Sequence, residues 1–277
     1  MPSTLLPIDI PWGQRKPPYG TRVNRKDPIG KSVVGCWLLN EGAGGMAYDA
    51  SGHGNNGTLN GGVTWSGGDL QFNGGSSGAT TAYVSVPNAA SLNFTSQITV
   101  RARIYLFTLN TGNGQRIVAK WDGSHSWILE QANNSTFKFW INNGSTSTNA
   151  AFSATAGVWW DLLGTFDGSN IKIYGNGVLK ATTALSGAIS TNTHPVYFGA
   201  GENLSNNQFL NGIIRDSQIL PIALSASQIL SLYTDPYCYL EPRTLWLPSG
   251  GAVTPPPSTI VQRRIPGPTR VGSRRAA

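Results

Sequence analysis

From residue 33 onward the chain alternates apolar and polar positions in short runs. Between 98 and 106, Ile98, Val100, Ala102, Ile104 and Leu106 alternate with Thr99, Arg101, Arg103 and Tyr105. A period of two is that of a strand with one buried and one wet face, so Arg101 and Arg103 are expected on the solvent side. The same reading predicts strands over 33–39, 70–72, 83–86, 116–121, 127–131, 136–141, 158–166, 171–174, 178–181, 196–200 and 212–220. Gly, Asn and Ser turns separate them at the spacing of an antiparallel β-sandwich. Gly175-Asn176-Gly177 and Asp167-Gly168 are hairpin turns, because Asn and Gly tolerate positive φ. One helix is predicted over 224–233, where Ser225 and Gln228 form a capping box and Ile229, Leu232 and Tyr233 an apolar face; Pro236 ends it.

Two regions break the alternation. Residues 1–31 carry Pro2, Pro7, Pro11, Pro17, Pro18 and Pro28 between Leu5, Leu6, Ile8, Ile10, Trp12 and Tyr19. Proline removes backbone donors and fixes φ, so this segment is neither helix nor central strand, and it reads as an extended, docked arm. Residues 242–277 contain a Gly/Pro-rich hinge over 249–257 and a basic tail that has too few apolar residues for a core of its own. The expected organisation is an arm over 1–31, a sandwich over 32–241 and a tail over 242–277.

Composition agrees with many short strands: charged residues are 12% of the 277, while glycine numbers 34 and proline 17. The formal charge of +7 is uneven. Residues 1–30 hold five Lys/Arg and two Asp, residues 31–241 nine Lys/Arg and eleven acids, and residues 242–277 six Arg and no acid. Basicity therefore belongs to the two ends. Apolar residues between the tail arginines favour docking on protein over phosphate contacts, so a nucleic-acid partner is not expected. No run of about 18 apolar residues suggests a membrane span. The first twenty residues, with an acid and several prolines, lack the pattern of a cleaved signal peptide. Cys36 and Cys238 are too few for a disulfide framework, and Cys36 reads as a packed thiol.

Candidate chemistry is sparse. The three histidines, His53, His125 and His194, fall in loops, and Glu41, Glu130, Glu202 and Glu241 are far apart in sequence. No strand shows the paired carboxylates of glycoside hydrolysis, so no enzyme is expected. Asp49, in the glycine-rich loop 49–57, either caps its own turn or offers the hard oxygen that calcium takes. Trp121, Trp127, Trp140, Trp159 and Trp160 serve a core or a sugar platform. Trp159 and Trp160, being adjacent, must face opposite sides of their strand.

Taken in order, these pieces resemble a laminin G-like, concanavalin A-type jelly roll over about residues 32–235. The residues that carry the likeness are Gly35 to Gly42, Asp49 to Gly57, Leu70 to Gly74, Tyr83 to Pro87, Thr165 to Gly168, Ile173 to Gly177, and Asn211 to Ile214 leading to Ala223-Leu224-Ser225. The resemblance implies two antiparallel sheets face to face, closed by a short C-terminal helix. It also implies either no cofactor or a structural calcium ion held by Asp49, Asn55 and Asp216. At the second acid position family members read Gly-x-Ile-Asp-Glu where this chain has Gly212-Ile213-Ile214-Arg215-Asp216, and Arg215 there is a candidate to neutralise Asp49 directly.

The flanks, Pro17-Pro18-Tyr19-Gly20 and Leu232 to Tyr237 followed by Arg243 to Trp246, resemble those of laminin G-like proteins of tailed bacteriophages. That likeness implies a non-enzymatic decoration protein of the virion, on the capsid surface, made in the host cytoplasm. Its arms would bind the major capsid protein or other virion proteins, and a homo-oligomer is expected. The alternative is a carbohydrate-binding or receptor-binding fibre module meeting a cell-surface glycan.

Overall fold

The computed structural model describes residues 5–10, 12–74, 81–121, 123, 126–201, 204 and 208–248. His125, Glu202, the hinge over 249–257 and the basic tail lie outside the described residues.

Two antiparallel sheets of eight strands each pack face to face as a jelly-roll sandwich. One runs, in spatial order, through Ser147–Ser153, Thr136–Asn142, Ser126–Ala132, Gln115–Trp121, Val196–Phe198, Tyr83–Val86, Gly57–Asn60 and Met46–Ala47. The other runs through Val178–Ala184, Asn170–Gly175, Trp159–Phe166, Ile98–Leu106, Asn211–Leu220, Asp69–Asn73 and Thr64–Ser66, with Gly35–Trp37 also paired to Asn211–Leu220. Their facing sides supply the main core, which includes Trp37, Phe72, Ile98, Val100, Ile104, Trp127, Phe137, Phe139, Phe166 and Phe198. The sheets approach closely at Gly164, where a Cβ would fall 2.1 Å from Phe139 Cγ.

The hairpin at residues 175–177 has the expected geometry, with φ of 54° at Asn176 and 75° at Gly177. The helix is Ala226–Thr234; Ser225 accepts from Gln228 N, and Gln228 Oε1 accepts from Ser225 N. Ile229 and Leu232 are buried, but Tyr233 is exposed.

The second sheet does not turn its outer face to water. A second buried cluster covers it, built from Val33, Cys36, Leu38, Leu163, Tyr174, Leu220, Ile229, Leu232, Tyr237, Tyr239 and, from the N-terminal stretch, Val23 and Ile29. The outward position of Arg101 is therefore interior: its side chain is fully buried, contrary to the alternation reading. Arg103 is largely covered as well, with Nη2 donating to Gln14 Oε1 at 3.3 Å.

Residues 9–243 form one compact unit, so the stretch from Trp12 to Lys31 is part of the folded body. Asn24 N donates to Tyr239 O at 2.9 Å, and Glu241 N to Arg22 O at 2.9 Å. Separately, Leu5–Ile10 pairs with Arg243–Pro248 in a two-stranded ribbon. Pro7 is tolerated there because a strand with a single neighbour leaves half its donors unused. Among the described residues no helix is long and apolar enough to cross a membrane.

Candidate functional site

The stretch 33–62 starts as the buried strand Gly35–Trp37 and then turns sharply. Leu39 adopts φ of 50°, unusual for a bulky residue. Its carbonyl accepts from Lys16 Nζ at 2.8 Å. Beyond the turn Glu41 Oε1 accepts from Tyr48 N at 2.7 Å, which ties the outgoing chain to the return. Asn40 Nδ2 donates to Pro17 O at 2.7 Å and fixes the N-terminal segment alongside.

Between these pieces lies a cleft of about 620 Å³, lined by Tyr19, Thr21, Arg22, Asn40, Glu41, Tyr48 and Glu241 among others. Tyr19 is 60% and Tyr48 44% exposed, and their ring centroids stand 5.7 Å apart at 59°. Glu41 Oε2 is buried and has no hydrogen-bond partner. Burial pushes the Glu41 carboxyl above the usual carboxylate range, against the bond from Tyr48 N. Arg25, also in the wall, spends its guanidinium on the carbonyls of Gly30, Val33 and Ser51. Exposed apolar rings beside hydrogen-bonding side chains suit a ligand with both a flat hydrocarbon face and polar edges.

Asp49 also borders this cleft, but its carboxylate is saturated. Oδ1 accepts from Cys36 N at 2.9 Å and Ser51 N at 2.8 Å; Oδ2 accepts from Ser51 Oγ at 2.7 Å and Asn55 N at 3.0 Å. Four donors use the four lone-pair positions of a carboxylate. Asn55 is buried behind it, donating through Nδ2 to Val34 O and Ser91 Oγ and accepting Trp37 Nε1 at its carbonyl. Asp216 lies in a different network, taking Gln218 Nε2 at 3.0 Å, Tyr237 Oη at 3.0 Å and Arg101 Nη1 at 3.4 Å. Asp49 and Asn55 thus share one network of protein hydrogen bonds and Asp216 sits in another, an arrangement that does not fit a calcium ion held by all three. Among the described residues, no group of three His, Cys, Asp or Glu is placed to hold a metal.

Arg215 pairs with Asp69 at 3.3 Å and not, as expected, with Asp49. Asp69 also takes Lys16 Nζ at 2.7 Å, and the same ammonium meets the carbonyls of Gly68 and Arg215 at 2.6 and 2.7 Å. An oxygen-lined pocket is thus filled by a lysine of the N-terminal segment. Burial lowers the Lys16 pKa, and attraction to Asp69 counteracts this.

Among the tryptophans Trp127 belongs to the core, and Trp160 packs against it with Phe137 and Phe152. Trp159 faces outward, 38% exposed, as adjacency requires. It is a poor sugar platform: the Arg215 guanidinium lies over its ring at 4.1 Å and Tyr105 packs at 5.6 Å. Sequence reasoning missed Tyr19, Arg22, Glu41, Tyr48 and Glu241 as neighbours; the one local sign was two tyrosines in polar, glycine-rich segments.

The profile described as the concanavalin A-like lectin/glucanases superfamily, Laminin_G_3, matches residues 76–230, more than half of the chain. The chain belongs to this superfamily. Solved relatives of this lectin-like fold include the binding domain of Paraclostridial Mosquitocidal Protein 1. It is 19% identical at a TM-score of 0.61, covering 75% of this chain and 53% of that one. A structure from botulinum neurotoxin type C, whose cell entry depends on interaction with two ganglioside molecules, is 18% identical at 0.59, covering 73% and 51%. Domain 4 of an extracellular arabinanase from Geobacillus stearothermophilus, seen with arabinotriose, is 18% identical at 0.58, covering 73% and 98%. The chain spans about half the length of the toxin structures it matches, and likeness at this identity concerns the fold. No curated protein sequence matches it.

Proposed function

We propose that this lectin-like sandwich is a non-enzymatic carbohydrate-binding module whose glycan sits in the Tyr19–Tyr48 cleft. The observation that carries the reading is the exposed Tyr19–Tyr48 pair in the wall of this cleft. A pyranose offers C–H faces to such rings and hydroxyls to the polar side chains around them. Fold relatives lend support: the neurotoxin's entry depends on gangliosides, and the arabinanase domain was solved with arabinotriose. Binding without turnover is favoured because Glu241, another carboxylate of the cleft, is exposed and makes no side-chain hydrogen bond or ion pair among the described residues. Glycosidases hold both carboxyl groups at a set separation. A glycan array with the full chain tests this. Specific binding that disappears in Tyr19→Ala and Tyr48→Ala supports it; turnover of the bound glycan, or binding indifferent to both changes, overturns it.

A bacteriophage capsid surface is our proposed setting, with the chain ends joining the major capsid protein, other virion proteins or further copies of this chain. The ribbon of Leu5–Ile10 and Arg243–Pro248, followed in sequence by five further arginines, supports this reading. Removing residues 1–11 and 242–277 should abolish attachment to particles and leave the sandwich folded. Undiminished attachment would sink the idea.

A further inference from the structure

Among the described residues, Lys16 Nζ stands between four oxygens: Leu39 O at 2.8 Å, Gly68 O at 2.6 Å, Asp69 Oδ1 at 2.7 Å and Arg215 O at 2.7 Å. An ammonium has three N–H donors, one fewer than the acceptors around it. The three carbonyls come from separate segments, and each lies at a local irregularity of the backbone. Leu39 has φ of 50° and Gly68 of 83°. The pairing of Asn211–Leu220 with Ile98–Leu106 slips between Ile214 and Asp216, so Arg215 is the extra residue of a bulge. A left-handed residue such as Leu39 persists only where its surroundings compensate the strain. Here three irregular segments converge on one positive charge.

We infer that these oxygens form a cage for a singly charged cation, with the Lys16 side chain as its tethered occupant, and that the cage takes potassium or ammonium from solution once that side chain is removed. Charge and distance select the ion. Among the described residues Asp69 supplies the one carboxylate, and its Oδ2 is shared with Arg215 Nε and Nη2, both at 3.3 Å. So little negative charge suits one positive charge better than two. Calcium takes about six to eight oxygens at roughly 2.3–2.6 Å, more and nearer than these four. Carbonyl oxygens can replace the hydration shell of potassium, an ion close to ammonium in size. In the native protein the tether holds the segment that leads to Tyr19 against the sheet without an ion from solution.

Lys16→Ala is the informative change. The lysine side chain is 18% exposed, so its removal opens a path from solvent to the four oxygens. Thermal melts of the full-length variant would compare potassium, ammonium and choline chloride at equal ionic strength, with the native chain as the control for general salt effects. Choline carries the same charge but is too bulky for the cage. The expected result is a midpoint higher by about 2 °C or more in potassium or ammonium than in choline, beyond any change in the native chain. That increment should vanish in the double variant Lys16→Ala/Asp69→Asn. Equal midpoints in the three salts, an increment that survives Asp69→Asn, or stabilisation by calcium at lower concentration than by potassium overturns the inference. If Lys16→Ala is unfolded in choline, circular dichroism decides: refolding in potassium or ammonium supports the cage, and a chain unfolded in all three salts overturns it.

Discussion

Arg101 and Asp161 face each other as a fork on a carboxylate, Nε donating to Oδ1 at 2.8 Å and Nη2 to Oδ2, with the arginine side chain fully buried. Nη1 turns the other way to Gln218 Oε1 at 2.6 Å and, more distantly, to Asp216. Burial opposes the arginine's charge, and attraction to Asp161 and Asp216 outweighs it, so the guanidinium stays charged inside the protein. The cluster joins three neighbouring strands, Trp159–Phe166, Ile98–Leu106 and Asn211–Leu220, beneath the covering segment that holds Tyr237.

Replacing Arg101 by Met should therefore cost about 3–5 kcal/mol, since it leaves Asp161 buried without its paired cation and Asp216 with only the more distant Arg103, at 3.9 Å. Urea denaturation would show this as a lowered midpoint. A loss below about 1 kcal/mol would mean that the carboxylates find water or protons easily and that the cluster is less enclosed than its geometry.

Lys16→Met removes the ammonium that joins Leu39 O, Gly68 O, Asp69 and Arg215 O. Asp69 retains Arg215, so the expected loss is smaller, about 1–3 kcal/mol. The N-terminal segment should loosen first. Limited proteolysis near Arg15 and Arg22 would report it, faster in the variant than in the parent.

Glu41 has its folded pKa raised above 4.5 by burial. Such a group contributes stability below its unfolded pKa, and that contribution is lost as pH rises through the folded value. Glu41→Gln should thus be the more stable protein at neutral pH and show a flatter stability profile above pH 4.5. Thermal melts across pH 4 to 8 would check the sign.

The Cys36 thiol is fully buried and pushed up to about 12, and Cys238 to about 11. Thiolate, not thiol, attacks alkylating reagents. At pH 8 iodoacetamide should leave Cys36 unlabelled in the native protein and modify it only after unfolding, with Cys238 slow. Mass spectrometry of the labelled peptides separates the two.

Much of the sandwich was legible because alternation is a local consequence of burying one side of a strand. The strands over 83–86 and 98–106 have the expected bounds, and most other expected strands differ by one to three residues at an end. Those overlooked include Ser147–Ser153, Thr64–Ser66 and Met46–Ala47, each at an edge of its sheet. An edge strand takes its hydrogen bonds from one neighbour and can be short or polar, so no apolar period marks it.

Periodicity could also say that Arg101 and Ile98 lie on opposite faces, but not that both faces are covered. That depended on the helix, the segment through Tyr239 and the residues around Val23 folding over the outer side of the sheet, contacts more than a hundred positions apart in sequence. The candidate site has the same origin. Tyr19, Glu41 and Glu241 are unremarkable in their own segments and become one cleft only where Arg22 pairs with Glu241 through the backbone and Asn40 holds Pro17. The two-sheet sandwich can be read from the chain alone, since each strand carries its own pattern. Which polar groups are spent within the protein emerges on folding, because hydrogen bonds between distant segments leave no period in the chain.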